Sequence, residues 1–427
     1  MHVVVVGGGW SGLAAAGVRV TLFDSAAMLG GRARGIAYCG ASFDYGQHWA
    51  LGTYGSTLAL LSRLSVPEDA VFKRFPFDLQ FFSKAGCVSR IYARRLPSPW
   101  HLIFAFILAQ GWTSAARRAV LRAWLVLRWH SFALPHDRDM TVQEWLQTMK
   151  QPAEVVDYFW ALLRTPYSRA SARMLLRVCR ELFTGPRECS AFLVFRRPLN
   201  AIVPEPAREF LAQRAATIHL RTRVRQLLVK GEHIRGVRWA DGEIYADHVV
   251  LAVLACTLRT LLAGIPQLSR IRGQLIAVMN EPVTTVFLHY AGEINFPAPV
   301  IGLVDGLAQW VFDLAYHGVP GRIAAVINGS GKHMRWPVAQ IERAVIDQVH
   351  RVLPADCGDP IDVFTLRERR AAFGSRVDID RLRPTSKTEV KGLWLAGELV
   401  DADHYPSSLE AAVRSGVRCA HGVLDCR

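Results

Sequence analysis

Residues 2–12, HVVVVGGGWSG, restrict this chain more than any other stretch. A short continuous run of β-branched residues is the pattern of a parallel strand buried on both faces. It leads directly into Gly7, Gly9 and Gly12, spaced GxGxxG. The first glycine permits a tight turn, the second lets a pyrophosphate approach the backbone, and the third lets a helix pack on the strand. VTLFD at 20–24 reads as the next strand, ending in Asp24, whose carboxylate is suited to accept hydrogen bonds from a ribose. An α/β fold that opens with a dinucleotide-binding unit is the expectation.

The connection between these strands is short, because only LAAAGV separates Gly12 from Arg19. A strand of five residues rises about 17 Å, and a parallel neighbour requires the chain to travel back that far. At about 1.5 Å per residue a helix needs some 11 residues for the return, and Gly17 weakens any helix that includes it. The expectation is an extended link that buries little apolar surface, gives up the helix dipole at the pyrophosphate and weakens dinucleotide binding.

A lone glycine fingerprint is a weak signal, so the rest of the chain decides its meaning. MLGGRARG supplies Gly30, Gly31 and Arg32 just after Asp24, an arginine and exposed amides suited to phosphate. Residues 217–253 read as a strand, a three-stranded meander turning at Lys230-Gly231 and Asp241-Gly242, and a buried strand. Residues 392–424 read as an apolar strand, a turn at Gly397-Glu398, and a helix starting near Pro406 or Ser407 whose first N–H groups face an anionic or electron-rich ligand. A cofactor domain assembled from 1–80, 205–260 and 366–427 is expected. The remainder forms a substrate domain, mainly helical over 81–204 and sheet-based over 261–365. Helices are expected near 141–149, where Thr141 and Glu144 form a TxxE capping box, and near 152–164 and 170–183.

Charge narrows the partners. A net charge of +15 and a pI near 9.8 call for an acidic partner. The arginines are spread along the chain without a nucleic-acid module, so no nucleic acid is expected and an anionic membrane surface is preferred. The eight cysteines form no CxxC pair and no Cys/His cluster at metal spacing, so no metal is expected and a reducing cytosol is the natural setting. The longest apolar stretch, Trp100 to Trp112, falls short of the roughly 20 residues that span a bilayer. Residues 96–130 combine Trp100, Trp112, Trp124 and Trp129 with Arg117, Arg118, Arg122 and Arg128, a composition suited to a membrane-facing mouth. Leu121 and Leu125 fall within the arginine arc, so the alternative is a helical hairpin packed in the substrate domain.

Several stretches together resemble the squalene-associated FAD-dependent desaturases, understood as hydroxysqualene dehydroxylases of hopanoid biosynthesis. They are GGGWSGLAAA, LGGRARG, FDYGQHWALGTYGSTLALLSRL, LRTPYSRAS, PLNAIVPEPAREFL and GLWLAGELVDADHYPSSLEAAVRSG. That family belongs to the wider flavin amine oxidase and phytoene desaturase superfamily. The resemblance implies a Rossmann-type FAD-binding domain of the glutathione-reductase type plus an α+β substrate domain. FAD is expected to be held noncovalently, since no Cys or His lies in a recognisable flavin-attachment motif. It implies that Gly7, Gly9 and Gly12 line the FAD pyrophosphate and Asp24 holds the adenosine ribose. Gly31 and Arg32 would lie at the phosphates, Gly397 and Glu398 at phosphate and ribitol, and Leu409 would offer its N–H to the flavin ring. The chain departs from the pattern at Tyr45, where Asn is usual, at Glu398, where Asp is usual, and at Ala411, where Gly is common. One extra residue stands between Asp401 and Pro406.

The implied reaction replaces the hydroxyl of hydroxysqualene by hydrogen. Hydroxide is a poor leaving group, so an acid is required, and His48 and Asp44 in FDYGQHW are the candidates. A lipophilic isoprenoid substrate and an electron donor of unknown identity follow from the resemblance. That substrate, together with the basic, tryptophan-rich 96–130 stretch, makes a peripheral place on the inner face of the cytoplasmic membrane the expectation. The runner-up is a carotenoid desaturase of the phytoene type. An alternative of another class is a flavin-impaired lipid-binding or interaction protein, because of the short first connection. An amine oxidase is the least expected, since no aromatic pair reads as a cage for an amine.

Overall fold

In the computed structural model, VVVV forms the strand Val3–Val6, buried at every residue. It is the centre of a five-stranded parallel sheet whose order is Thr217–His219, Val20–Phe23, Val3–Val6, His248–Leu251 and Leu393–Leu395. The strands come from both ends and the middle of the sequence. The structure describes all residues except 17–18, 39, 135–137, 159–165, 295, 355–356, 401–402 and 427.

The expected extended link is corrected. The chain turns into a helix at Trp10, inside the glycine fingerprint, and Trp10–Ala15 is buried throughout. The strand is also one residue shorter than expected, so its four residues need a return of only about 13 Å. Gly17 lies outside the described residues, and Val20 is in register beside Val3. Tight packing fixes this short helix. A Cβ on Gly12 would sit 1.9 Å from the Gly7 carbonyl oxygen, and one on Gly416 would sit 2.2 Å from that of Ser11. The helix is thereby held between the sheet and the final helix, Leu409–Leu424. The Trp10 indole N–H donates to the Ala33 carbonyl at 3.0 Å, tying in the LGGRARG segment.

Each face of the parallel sheet carries its own core. Trp10, Leu13, Val203, Leu211, Val413 and Cys419 pack on one face. The meander Gln226–Lys230, His233–Arg238 and Glu243–Tyr245 packs on the other with the helices Ala255–Leu261 and Ser269–Ala277. The second part of the cofactor domain therefore runs on to about residue 277 rather than ending at 260.

A second sheet of seven strands supports the substrate side. Its order is Asp362–Phe373, Asn280–His289, Arg322–Asn328, Trp310–Asp313, Val300–Leu303, Asp78–Ser83 and Gly86–Tyr92. Membership of Asp78–Ser83 and Asp362–Phe373 moves two boundaries, from 80 to just before 78 and from 366 to just after 373. Among the expected helices, Val142–Thr148 carries the full capping box between Thr141 and Glu144. The helix expected over 152–164 is Ala153–Tyr158, and residues 159–164 lie outside the described residues. Ala172–Thr184 accounts for the third. The final helix begins at Leu409 rather than near Pro406, because Ser408 is its cap and its hydroxyl accepts from the Ala411 N–H at 3.1 Å.

Candidate functional site

A cavity of about 650 Å³ runs between the two sheets. One end is made of backbone. Gly7 lines it with a φ of +107°, a conformation that side-chain-bearing residues rarely adopt, and a Cβ there would meet the Ala252 carbonyl oxygen at 2.4 Å. Gly9 also lines it, yet a Cβ on Gly9 would find nothing nearer than the Gly31 Cα at 3.9 Å. Gly397 has a φ of +144° and nothing within 4 Å of a built Cβ. Protein atoms do not account for the lack of side chain at Gly9, whereas a backbone-hugging pyrophosphate does. Gly12 does not line the cavity; it serves helix packing.

Asp24 stands at this end and lines the cavity. One carboxylate oxygen accepts from the Gly8 N–H and the other from the Ala26 N–H, each at 2.7 Å. Those bonds hold the carboxylate at the tip of its strand, where a ribose hydroxyl can reach its remaining lone pairs. The Gly30 N–H donates to the Gly8 carbonyl at 2.8 Å, and this brings Gly31 against Gly9.

Arg32 and Glu398 face each other across the middle of the cavity wall. They form an ion pair at 2.5 Å, and the guanidinium also donates to the carbonyls of Arg370 and Ala371 at 3.0 and 2.8 Å. The Ser407 hydroxyl donates to the other Glu398 oxygen. The structure thus brings both residues to the cavity but directs them at each other. Leu409, at the start of the final helix, lines the cavity beside them. Its N–H belongs to the first turn, where amides have no partner within the helix.

The opposite end is made of rings. Trp310 and Phe312 alternate along one strand and so share a face, and Val326 on the next strand is in register with Trp310. Trp49 meets Trp310 at 5.2 Å between ring centres and stacks on Phe192 at 4.6 Å. Tyr45 joins this wall. Its hydroxyl donates to Glu368 at 3.1 Å, the Arg34 guanidinium lies 5.5 Å from its ring centre, and burial together with Glu368 pushes its pKa up.

The two acid candidates part company. His48 lines the cavity, with Nδ1 2.5 Å from the Gly46 carbonyl oxygen. A carbonyl oxygen only accepts, so Nδ1 is the donor in that bond. Asp44 lies behind the wall. It lines a separate void of about 10 Å³ with Gln47 and His317, and accepts from the Leu199 N–H at 2.8 Å. Burial pushes its pKa up to about 7 against the pull of that amide, and burial alone pushes His317 down to about 4. Gln47 lines both spaces.

The sequence reading missed the ring wall. Trp310 and Phe312 stand in an apolar stretch with period two, a signal that identifies a strand face but not what the face looks at. Gln47 and Trp49 lay unassigned between quoted motif residues.

Comparison with known proteins places this geometry. The model of the flavin containing amine oxidoreductase family matches residues 11–424. The chain is 24% identical to a hydroxysqualene dehydroxylase of Zymomonas mobilis over 440 residues, covering 99% of this chain and 98% of the relative. It is 30% identical to one of Sinorhizobium fredii over 269 residues, 62% of this chain and 60% of the relative. A zeta-carotene desaturase of Arabidopsis thaliana is 21% identical over 487 residues, covering 100% of this chain and 85% of the relative. Among solved structures, a putative protoporphyrinogen oxidase from Exiguobacterium superposes with a TM-score of 0.72 at 15% identity, over 100% of this chain and 99% of the other. Putrescine oxidase bound to putrescine gives 0.73 at 16%, over 99% of each. The fold, the backbone-lined end of the cavity and the match over nearly the whole sequence make this chain a member of the flavin containing amine oxidoreductase family, an FAD-dependent oxidoreductase.

Proposed function

We propose that this enzyme reduces hydroxysqualene to squalene. The observation that carries the reading is the ring wall of Trp49, Trp310 and Phe312, which closes the far end of the cavity with apolar surface. A C30 hydrocarbon fits such a wall, and the similarity to hydroxysqualene dehydroxylases supports the choice. Reduced FAD supplies a hydride when bound. In the net reaction the C–O bond breaks, the hydroxyl leaves as water with one added proton, and the carbon gains hydride. An electron donor must return two electrons per turnover.

The chain's own residues meet the remaining demands. His48 holds the proton for the departing hydroxyl at Nε2, oriented by the Gly46 carbonyl at Nδ1. Positive charge develops on an allylic carbon as the bond breaks, and the faces of Trp49, Trp310 and Phe312 offer it electron density without a competing nucleophile. Tyr45 and Glu368 keep polar groups at the border between the two ends.

Similarity to zeta-carotene desaturases favours a second reading, in which the oxidised enzyme removes hydrogen from a polyene precursor. One experiment separates the two. Hydroxysqualene is supplied to the chemically reduced enzyme and a carotenoid precursor to the oxidised enzyme, each without oxygen, and the lipids are analysed. Squalene in the first arm alone supports the proposal. A desaturated product in the second arm with no squalene in the first replaces it.

A further inference from the structure

The helices Trp100–Ile107 and Ser114–Trp129 form a hairpin with one face that no described protein segment covers. Trp100, Phe104 and Leu108 are 52%, 40% and 48% exposed, and their four-residue spacing puts them in one stripe. The other side of that helix, including Leu102, Ala105 and Phe106, is buried. On the second helix the stripe at 118, 122, 125 and 129 is exposed: Arg118, Arg122, Leu125 and Trp129, the last at 84%. Of the arc in which leucines and arginines mix, Arg118, Arg122, Leu125 and Arg128 face outward, whereas Arg117 and Leu121 are half-buried.

Charge says what this face fits. Between Asp78 and Asp137 the chain has eight Lys and Arg residues and no Asp or Glu. Arg94, Arg95, Arg118, Arg122 and Arg128 are exposed, and among the described residues none has an acidic partner. Protein surfaces ordinarily intersperse both signs. Exposed tryptophans and a phenylalanine among arginines, with no acidic residue, match the boundary of a bilayer, where rings enter the headgroup layer and guanidinium groups meet phosphates.

We infer that this hairpin face docks on an anionic lipid surface. The inner side of the same hairpin explains why the docking would matter. Leu102, Ala105 and Phe106 belong to a core with Phe81 and Phe192, and Trp49 and Trp310 of the ring wall pack against that core. A continuous layer of apolar side chains thus leads from the docking face to the far end of the cavity. The purpose of that route rests on the proposed lipid substrate; the docking itself rests on the face alone.

The test is flotation of the FAD-loaded enzyme with vesicles of phosphatidylcholine, alone or with a third of phosphatidylglycerol. Binding is expected to be at least tenfold stronger to the mixed vesicles and to fall with added salt, since exposed charges are screened over about 10 Å at 0.1 M. Trp100→Ser with Phe104→Ser and Leu108→Ser is expected to weaken binding at least tenfold. Arg118→Glu with Arg128→Glu provides an independent second variant with the same expectation. Flavin content and melting temperature report that each variant has folded. Wild-type binding by both variants overturns the inference, as does equal binding to the two vesicle types. A dimer that forms through this face and leaves vesicles unbound assigns it to a second copy of the chain and also overturns it. No substrate is present, so the outcome is separate from that of the product assay.

Discussion

At its glycine end the cavity is bounded by main chain, and at its far end by aromatic rings. At the first boundary Gly7 lies too close to the Ala252 carbonyl for any side chain, Gly12 packs behind it against the Gly7 carbonyl, and Gly9 faces the cavity with open space above it. The second is set by aromatic side chains packed about 5 Å apart, with Trp49 stacked on Phe192 and tilted against Trp310. Gly7 and Gly12 leave no room for a side chain, and in the proposed reading this end holds a part of the cofactor common to many enzymes. The ring end can lose a residue without losing the fold, yet it meets the reacting carbon in the proposed chemistry.

Gly12→Val should have the largest effect, because its Cβ alone would lie 1.9 Å from a main-chain oxygen. Loss of FAD and a destabilisation of more than about 4 kcal/mol are expected, read by flavin absorbance and denaturant melts. A yellow, stable variant would show that the contact can relax. At the other end, His48→Ala should keep its flavin and lose roughly 10²-fold in turnover of hydroxysqualene. Unchanged turnover would leave His48 with a structural part only.

Trp310→Leu should cost about 10- to 30-fold in turnover, the scale of a desolvated cation–π contact near 2 kcal/mol. The loss is expected in kcat with the flavin spectrum unaltered; a change confined to KM would make the ring a simple apolar contact. Gly9→Ala sharpens the comparison from the glycine end. No protein atom obstructs its Cβ, so stability should change by less than about 0.5 kcal/mol. FAD should nevertheless bind about tenfold more weakly, or about 1.4 kcal/mol, in a titration.

The smallest effect lies behind the ring wall. Asp44 holds a proton up to about pH 7 in the fold but releases it near 3.8 when the chain unfolds. Between those values the native state binds the extra proton, so this group's contribution falls as pH rises. His317 works in the opposite sense, its pKa being lowered from 6.5 to about 4, and adds stability as pH rises through that range. Asp44→Asn keeps an acceptor for the Leu199 N–H and removes only the first contribution. The variant should therefore gain on the wild type between pH 4 and pH 7 in parallel melts, and a constant gap would mean that Asp44 is ionised throughout.

Much of the glycine end was legible in the sequence because its demands are local. A buried β-branched run, three glycines at fixed spacing and an acidic residue after the second strand can each be read within a few residues. The length of the first connection was misjudged for an equally local reason. Counting from Gly12 overlooked that helical conformation begins at Trp10, where an indole can reach Ala33 and fill the space beneath the sheet. The ring end was illegible because it is made by register. Trp49 and Trp310 are far apart in the chain and meet only once two sheets are assembled. The Arg32–Glu398 pair has the same origin, since its members come from opposite ends of the sequence.

The central claim is that one cavity holds FAD at its main-chain end and a hydroxylated isoprenoid at its ring end, within reach of each other. The most direct measurement follows the flavin spectrum of the FAD-loaded, chemically reduced enzyme as hydroxysqualene is added without oxygen. Reappearance of oxidised flavin, with one squalene formed per flavin, is the predicted result. Flavin that stays reduced while hydroxysqualene is recovered unchanged would contradict the claim.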